Sequence, residues 1–434
     1  MMENMDKPLT KNIRPDRAFA TLTDYLETGG YQGLRKAITE LQPKEVLQRV
    51  KDSGLRGRGG AGFDTGLKWS LVPIEENGDD GVSQTRYLVV NADEMEPGTF
   101  KDRLLLEQDP HQLIEGTIIA AYAIQSSIAY IFLRGEYRLA AERLSNALQE
   151  ARTEGCLGEH IFNSDFSLEI YLHTSAGRYI CGEETALLNA LEGKRATPRA
   201  KPPYAVVSGL WGKPTVVNNV ETLCNVPHIL QYGVDWYRDL GRGSDTGTKL
   251  FGASGRVKHP GLWELPMGTP IREILEEHAG GMRDGYKLRG FLPGGASTDF
   301  LLPEHLDVAM DYDAVAKAGS RMGTGTIIVL DDKTCPVRMV LNLEQFFARE
   351  SCGWCTPCRD GLPWTVTLLE NIIAGHGRLE DLDTLAGLTD MMGIGNTFCA
   401  LAPGAMEPLQ SALKYFREDF ERYIVGDRAE MESV

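Results

Sequence analysis

Four cysteines carry the sharpest chemistry in the sequence. Cys352-Gly-Trp-Cys355-Thr-Pro-Cys358 spaces three thiols by three residues, and Cys399 follows in the loop from Asn396 to Pro403. Thiols so spaced converge on one side of a tight loop, and a remote fourth closes the site. Four thiolates are the usual ligand set of an iron–sulfur cluster. Structural zinc also takes four cysteines, usually as two separated CxxC pairs. Trp354-Cys-Thr-Pro-Cys358 read alone mimics a thioredoxin-type redox disulfide, which expects a strand just before it. Here the helical run Leu341 to Arg349 precedes it, and Cys352 is a third thiol. Cys156, Cys181, Cys224 and Cys335 are scattered and read as small apolar side chains.

A second group of segments suits a nucleotide. Gly57-Arg-Gly59-Gly60-Ala-Gly62-Phe63 contains GxGxxG, but a helical stretch, Glu45 to Lys51, precedes it where a dinucleotide fingerprint needs a strand. Closely spaced glycines still let backbone N–H groups approach a phosphate or a flat ring. Arg56, Arg58, Lys68, Phe63 and Trp69 around the loop favour a ligand over a mobile surface loop. Asn91-Ala-Asp93-Glu94-Met-Glu96-Pro-Gly98 lies just past a strand ending at Val90, where α/β folds bind ligands; a solvated acidic turn is the plainer alternative. Gly182-Glu183-Glu184-Thr185 opens a helix. Its carboxylates complement the helix dipole, or accept from a ribose diol and repel the 2′-phosphate of NADPH. Lys201-Pro-Pro-Tyr204 offers a cation and an aromatic ring. Lys213-Pro-Thr-Val-Val-Asn218-Asn219-Val-Glu-Thr222 offers amides and hydroxyls for a flavin edge or phosphate.

The elements that must position these residues fall into three textures. After residues 1–17, read as a tail or an arm on a neighbour, 18–53 is helical and 54–66 is a glycine-dense loop. Strands at Tyr87–Val90, Ile128–Leu133 and Phe166–Leu172 then alternate with helices at His111–Ile124 and Arg138–Arg152, which implies a largely parallel sheet. This α/β, Rossmann-like region runs from 18 to 244. A hairpin at Lys249–Leu265, a short helix at Ile271–His278 and a strand at Thr326–Leu330 make a small α+β domain over 245–335. From 336 to 434 the pattern is four amphipathic helices, one opened by Pro363.

With 434 residues, 42% of them hydrophobic, the chain can bury several cores. A net charge of −16 opposes binding to nucleic acid or to an anionic membrane surface. Eight cysteines are too few for a disulfide scaffold. Thr117 to Leu133 carries no charge, but it is short for a membrane span and Gln125-Ser-Ser interrupts it. It reads as a buried helix, a turn and a buried strand. Membrane contact is expected only through partners.

Taken together, GRGGAGFDTGLKW, NADEMEPGTFKDR, GRYICGEETALL, KPPY, GKPTVVNNVET and ESCGWCTPCRDG with the late Cys399 resemble the flavoprotein (F) subunit family of bacterial respiratory complex I, NADH-quinone oxidoreductase. Asp64 departs from a frequent Pro, and Thr174-Ser175 from a more glycine-rich pair. The resemblance implies a Rossmann-like FMN domain, a ubiquitin-like β-grasp domain and a C-terminal helical bundle. It implies FMN held by Gly57, Gly59, Gly60, Lys68, Asn91, Asp93, Glu94, Gly182, Glu183, Asn218, Asn219 and Thr222. NADH would stack near Phe63 and contact Glu96, Glu184, Lys201 and Tyr204, with Glu96 orienting the nicotinamide. A [4Fe–4S] cluster would sit on Cys352, Cys355, Cys358 and Cys399. The implied reaction is hydride transfer from NADH to FMN, giving NAD+, then single electrons to the cluster and on towards quinone. The implied partners are a small thioredoxin-like [2Fe–2S] subunit and the large iron–sulfur subunit, on the cytoplasmic side of the inner membrane. The diaphorase subunit of an NAD-linked hydrogenase or formate dehydrogenase is the nearest alternative. A zinc-stabilised, non-catalytic interaction subunit is the distant one.

Overall fold

The computed structural model describes residues 6–14, 19–74 and 84–425. They divide into two compact units. The first comprises residues up to Met95, Phe100–Leu250 and Glu264–Thr269; the second comprises Glu96–Thr99, Phe251–Trp263 and the chain from Pro270 onward.

In the first unit, four strands form one sheet: β1 (Tyr87–Ala92), β2 (Ile128–Leu133), β3 (Glu169–Thr174) and β4 (Thr215–Asn219). Their order is β3-β2-β1-β4 and every pairing is parallel. The expected β3 starts three residues late, because Phe166 and Leu168 instead bond back to Ile161 and Gly158. Leu88, Val90, Ala129, Ile131 and Ile170 join the main apolar core. The register sets Asn91 beside Asn219 at the carboxyl ends of β1 and β4.

Close helix crossings build that core. An ideal Cβ on Gly116, in helix Pro110–Ala123, would lie 2.0 Å from the carbonyl oxygen of Leu223 in helix Val220–Tyr232. One on Gly33, in helix Gln32–Glu40, would lie 2.4 Å from that of Pro227. Glycine is therefore required at both crossings. Gly116→Ala is expected to destabilise the chain by about 1–3 kcal/mol through overpacking, measurable as a lower urea midpoint; an unchanged midpoint would contradict the packing. Helix Pro110–Ala123 is buried almost throughout, as the uncharged stretch from Thr117 suggested, and no helix among the described residues is long and apolar enough to cross a membrane. Its Glu115 accepts from the Tyr25 hydroxyl (2.5 Å) and from the N–H groups of Tyr31 (2.8 Å) and Leu34 (2.9 Å).

The N-terminal arm differs from its expectation. Residues 6–14 fold onto their own unit, with Leu9 fully buried. The N–H groups of Leu9 and Thr10 donate to Glu264 at 3.0 and 2.8 Å, and Asn12 donates to Asp109 at 2.8 Å. Residues 1–5 and 15–18 lie outside the described residues.

The second sheet contains β5 (Thr248–Ser254), β6 (Gly261–Pro266), β7 (Leu288–Leu292) and β8 (Thr326–Asp331) in the order β6-β5-β8-β7. β8 runs parallel to β5 and antiparallel to β7. Five helices follow among the described residues: Pro336–Glu350, Thr356–Ile373, Leu379–Met391, Leu401–Tyr415 and Arg417–Val425. That is one more than the pattern suggested, because the last apolar run breaks at Phe416. Pro363 does not open a helix. Pro357 does, as the second residue of Thr356–Ile373, and Pro363 lies inside. Proline is best tolerated in the first helical turn, and here the earlier proline takes that role. Cys358 thereby starts a helix rather than sitting in a free loop.

Candidate functional site

Most of the nucleotide-handling segments belong to the first unit, and named contacts join them. Gly59, in the glycine loop, packs on the end of β4: an ideal Cβ there would lie 3.1 Å from Asn219 Cβ. Gly60 and Gly62 take positive φ (127° and 65°), which glycine adopts without steric cost. The helix Thr65–Ser70 leaves the loop with Asp64 as its N-cap, accepting from the Leu67 N–H. Its Lys68 donates to Glu184 Oε2 and to the Val217 carbonyl, both at 2.8 Å. Its Trp69 donates to Asn218 Oδ1 at 2.9 Å. Asn91 reaches the Gly182 carbonyl across 3.4 Å. The loop, the ends of β1 and β4 and the Gly182 turn thus surround one region.

Charge is concentrated along one wall of it. Glu183 caps the helix Glu184–Leu191 by accepting from the N–H groups of Thr185 and Ala186, and its other oxygen accepts from Lys201 at 2.8 Å. Lys201 also lies 3.8 Å from Glu184. Burial alone would raise Glu184, yet Lys68 and Lys201 outweigh it and hold the carboxyl below its ordinary range. Glu184 is therefore anionic at neutral pH. Burial would likewise lower Lys201, and Glu183 reverses the shift. Phe63 and Tyr204 present half-exposed rings, 51% and 58% accessible.

Other expected ligands are committed elsewhere. Glu94 turns inward and caps the helix Lys101–Gln108, accepting from the N–H groups of Asp102 (2.9 Å) and Arg103 (3.1 Å) and from the Tyr137 hydroxyl (2.9 Å). Burial and the adjacent Asp102 push it up to about 7. Asp93 accepts from the Ser175 hydroxyl at 3.0 Å. Thr222 accepts from the Arg58 N–H at 2.8 Å. Arg58 itself is fully buried, its guanidinium on the carbonyls of Thr246 (2.8 Å) and Thr248 (3.3 Å). It braces the loop from behind rather than facing a ligand. Arg56 is likewise engaged, by the Gly62 carbonyl and Asp245.

Sequence reasoning missed a charged cluster in the core of this unit. Lys101, Asp102, Glu221 and Lys249 are all buried there. Glu221 Oε2 lies 2.9 Å from both lysine nitrogens, and its Oε1 accepts from the Leu250 N–H at 2.7 Å. Both Lys101 and Glu221 stand inside the quoted motifs, but only their contact across the chain marks them.

Glu96 belongs to the second unit, where its carboxylate accepts from the Ser297 N–H (2.7 Å) and hydroxyl (2.8 Å). The cysteines are also there. Cys358 is buried, while Cys352, Cys355 and Cys399 are half-buried. Ser351 Oγ lies 3.2 Å from Cys358 Sγ. Burial, then the neighbouring Cys355 and Cys352, push the Cys358 thiol up to about 11. Trp354 and Phe398 meet edge to face at 6.2 Å, so the segment of the first three cysteines lies beside the loop of the fourth. The four sulfurs are not drawn into a closed ligand group among the described residues.

Both sites fit the groups that their motifs call for. An ideal Cβ at Gly182, whose carbonyl Asn91 reaches, meets nothing within 4 Å, so the space beside that turn is open to a ligand. Four thiols, three of them around the start of helix Thr356–Ile373 and one on the adjoining loop, provide an iron–sulfur donor set.

The comparisons with known proteins agree. The model of the Nuo51 FMN-binding domain matches residues 50–228, that of the SLBB domain 253–301, and that of the NADH-ubiquinone oxidoreductase-F iron-sulfur binding region 338–423. The F subunit of NADH-quinone oxidoreductase from Salmonella typhimurium is 58% identical over 95% of this chain and 92% of its own length. The F subunit from Escherichia coli matches equally, and the F 2 subunit from Rhizobium meliloti is 50% identical over 93% and 94%. Among solved structures, an NAD+-reducing [NiFe]-hydrogenase in the H2-reduced state is similar at a TM-score of 0.82. Identity there is 35%, over 96% of this chain and 70% of that one.

Proposed function

Since the chain belongs to the family of NADH-quinone oxidoreductase F subunits, we propose a residue-level account of how it oxidises NADH. It is a flavoprotein NADH dehydrogenase subunit of complex I, with FMN and a 4Fe–4S cluster as its cofactors. The single observation that carries the account is the lysine–glutamate wall of Lys68, Glu184, Lys201 and Glu183 beside the glycine loop.

FMN, when bound, supplies the hydride-accepting chemistry, and the cluster supplies one-electron transfer. The protein's part is position and charge. The loop Gly57–Gly60 and the Gly182 turn make room for the flavin, with Asn91, Asp93, Glu94, Asn218, Asn219 and Thr222 shaping its surroundings. For Glu94 and Asn219 that role is support, because their side-chain oxygens are taken up by protein donors, while the Thr222 hydroxyl accepts from the Arg58 N–H and keeps its own proton to donate. Phe63 and Tyr204 offer rings for stacking. Glu184, held anionic, and its neighbour Glu183 suit a ribose diol and oppose the 2′-phosphate of NADPH. Glu96 orients the nicotinamide end. Cys352, Cys355, Cys358 and Cys399 ligate the cluster.

The same reading divides the chain into an FMN/NADH region over 18–244, a β-grasp region over 245–335 and a cluster region from 336. Its partners are the small thioredoxin-like [2Fe–2S] subunit and the large iron–sulfur subunit, and it sits peripherally on the cytoplasmic face of the inner membrane. The related hydrogenase module fits the same fold but matches at lower identity.

Lys68 tests the wall. Lys68→Met removes a charge-assisted donor and leaves Glu184 facing Lys201 alone. FMN affinity should fall by roughly tenfold or more, read by quenching of FMN fluorescence on titration into flavin-free protein. Wild-type affinity in the variant would remove Lys68 from the site.

A further inference from the structure

The buried charge cluster behind the flavin loop holds two lysines of equal burial and different reach. Lys101 Nζ donates to Asp102 Oδ1 at 2.7 Å and to Asn219 Oδ1 at 3.2 Å, and it lies 2.9 Å from Glu221 Oε2. Three acceptors use all three protons of an ammonium. Lys249 Nζ meets Glu221 at 2.9 Å, on the strand β5 side of the cluster. Burial alone would lower Lys101, but Asp102, Glu221 and Glu94 outweigh it and keep it charged.

Asn219 is fixed by this arrangement. Its side-chain oxygen accepts from Lys101 and from the Glu221 N–H (3.1 Å), and its amide donates to Asp102 Oδ2 (2.6 Å). Each of these partners belongs to the buried cluster. The other side of Asn219 bears on Gly59, whose ideal Cβ would lie 3.1 Å from the Asn219 Cβ and 3.6 Å from its Cγ. The glycine loop therefore rests on a side chain whose rotamer Lys101 helps to set, together with Asp102 and the Glu221 N–H.

We propose that Lys101 is a positioning residue for the flavin site, acting through Asn219 to hold the Gly57–Gly60 loop at the height the cofactor needs. The inference rests on the FMN reading of that site. It distinguishes Lys101 from Lys249, which shares its burial and its Glu221 partner but makes no hydrogen bond to Asn219 among the described residues.

The test compares Lys101→Met with Lys249→Met in the full chain, each stripped of flavin and titrated with FMN while the quenching of its fluorescence is followed. Urea unfolding is measured in parallel. Both substitutions leave carboxylates short of a partner in the core, so both should lower the unfolding midpoint. FMN affinity should fall by roughly tenfold or more in Lys101→Met and stay at the wild-type value in Lys249→Met. Should Lys101→Met not accumulate as folded protein, Lys101→Gln, which keeps a hydrogen-bond donor without the charge, gives the same comparison. Equal losses of affinity in the two variants would overturn the inference, because the cluster would then act only as part of the core. Unchanged affinity in both would overturn it too. A wild-type chain that takes up no FMN would sink the flavin reading and this inference with it, a result distinct from either pattern among the variants.

Discussion

Cys358→Ala is expected to remove the iron–sulfur cluster while NADH-driven reduction of an artificial acceptor continues. The thiol is buried at the start of helix Thr356–Ile373, with the Ser351 hydroxyl 3.2 Å from its sulfur. Burial and its neighbouring thiols push it up to about 11, so only a bound cation would keep it as a thiolate near neutrality. Alanine offers no replacement ligand there, and the half-buried Cys352, Cys355 and Cys399 leave a set of three. Iron content and the low-temperature electron paramagnetic resonance of NADH-reduced protein read the outcome. The acceptor assay separates the two sites, because every residue assigned to FMN lies in the other unit of the chain. A variant that keeps a full cluster would reject the ligand assignment. One that loses acceptor reduction as well would reject the separation.

The second large effect belongs to Glu221. It is fully buried between Lys101 and Lys249, and its second oxygen accepts from the Leu250 N–H. Glu221→Gln leaves two buried lysines without their shared counter-charge, which should cost about 3–5 kcal/mol of stability. Urea or thermal unfolding measures it, and a loss below the precision of the method would contradict the network. The pH dependence has a fixed sign. Burial would raise Glu221, but Lys101 and Lys249 depress it to about 2, below its ordinary 4.5. The carboxylate's stabilisation is therefore fully present above 4.5 and is lost as pH falls through that range towards 2. The wild-type chain should lose more stability across this acid window than Glu221→Gln does.

These two residues show what could be read from the sequence. Cys358 could be singled out because its candidacy as a ligand is written in local spacing: thiols stand at every third position from Cys352 to Cys358. Glu221 was not, although it stands in the same GKPTVVNNVET stretch that pointed to the flavin site. Its meaning lies in Lys101 and Lys249, which neither spacing nor periodicity connects to it. Lys101 at a helix start looks like an ordinary surface charge. The strands β1 and β2 were legible for the reason Cys358 was: apolar runs bounded by turn residues are a local signal. Pro363 misled because a proline after a polar stretch reads as a helix opening, while Pro357, a little earlier in the chain, serves equally well. Arg56 and Arg58 read alike as flanking cations. Yet the bend at the glycine loop turns Arg58 into the core, onto the carbonyls of Thr246 and Thr248. Glu94 and Glu96, close neighbours in one motif, were both counted as ligands. In the structure the first caps the helix Lys101–Gln108, and the second bonds Ser297 in the other unit. Side-chain direction in loops is set by tertiary partners, so motif membership identifies the neighbourhood without assigning each role.

The most direct test of the central claim is the anaerobic visible spectrum of the protein, produced with its partner subunits, before and after NADH is added. A flavin band above a broad iron–sulfur absorption is expected, with prompt bleaching of the flavin on addition of NADH. A colourless preparation that contains zinc, lacks iron and flavin and does not respond to NADH would contradict it.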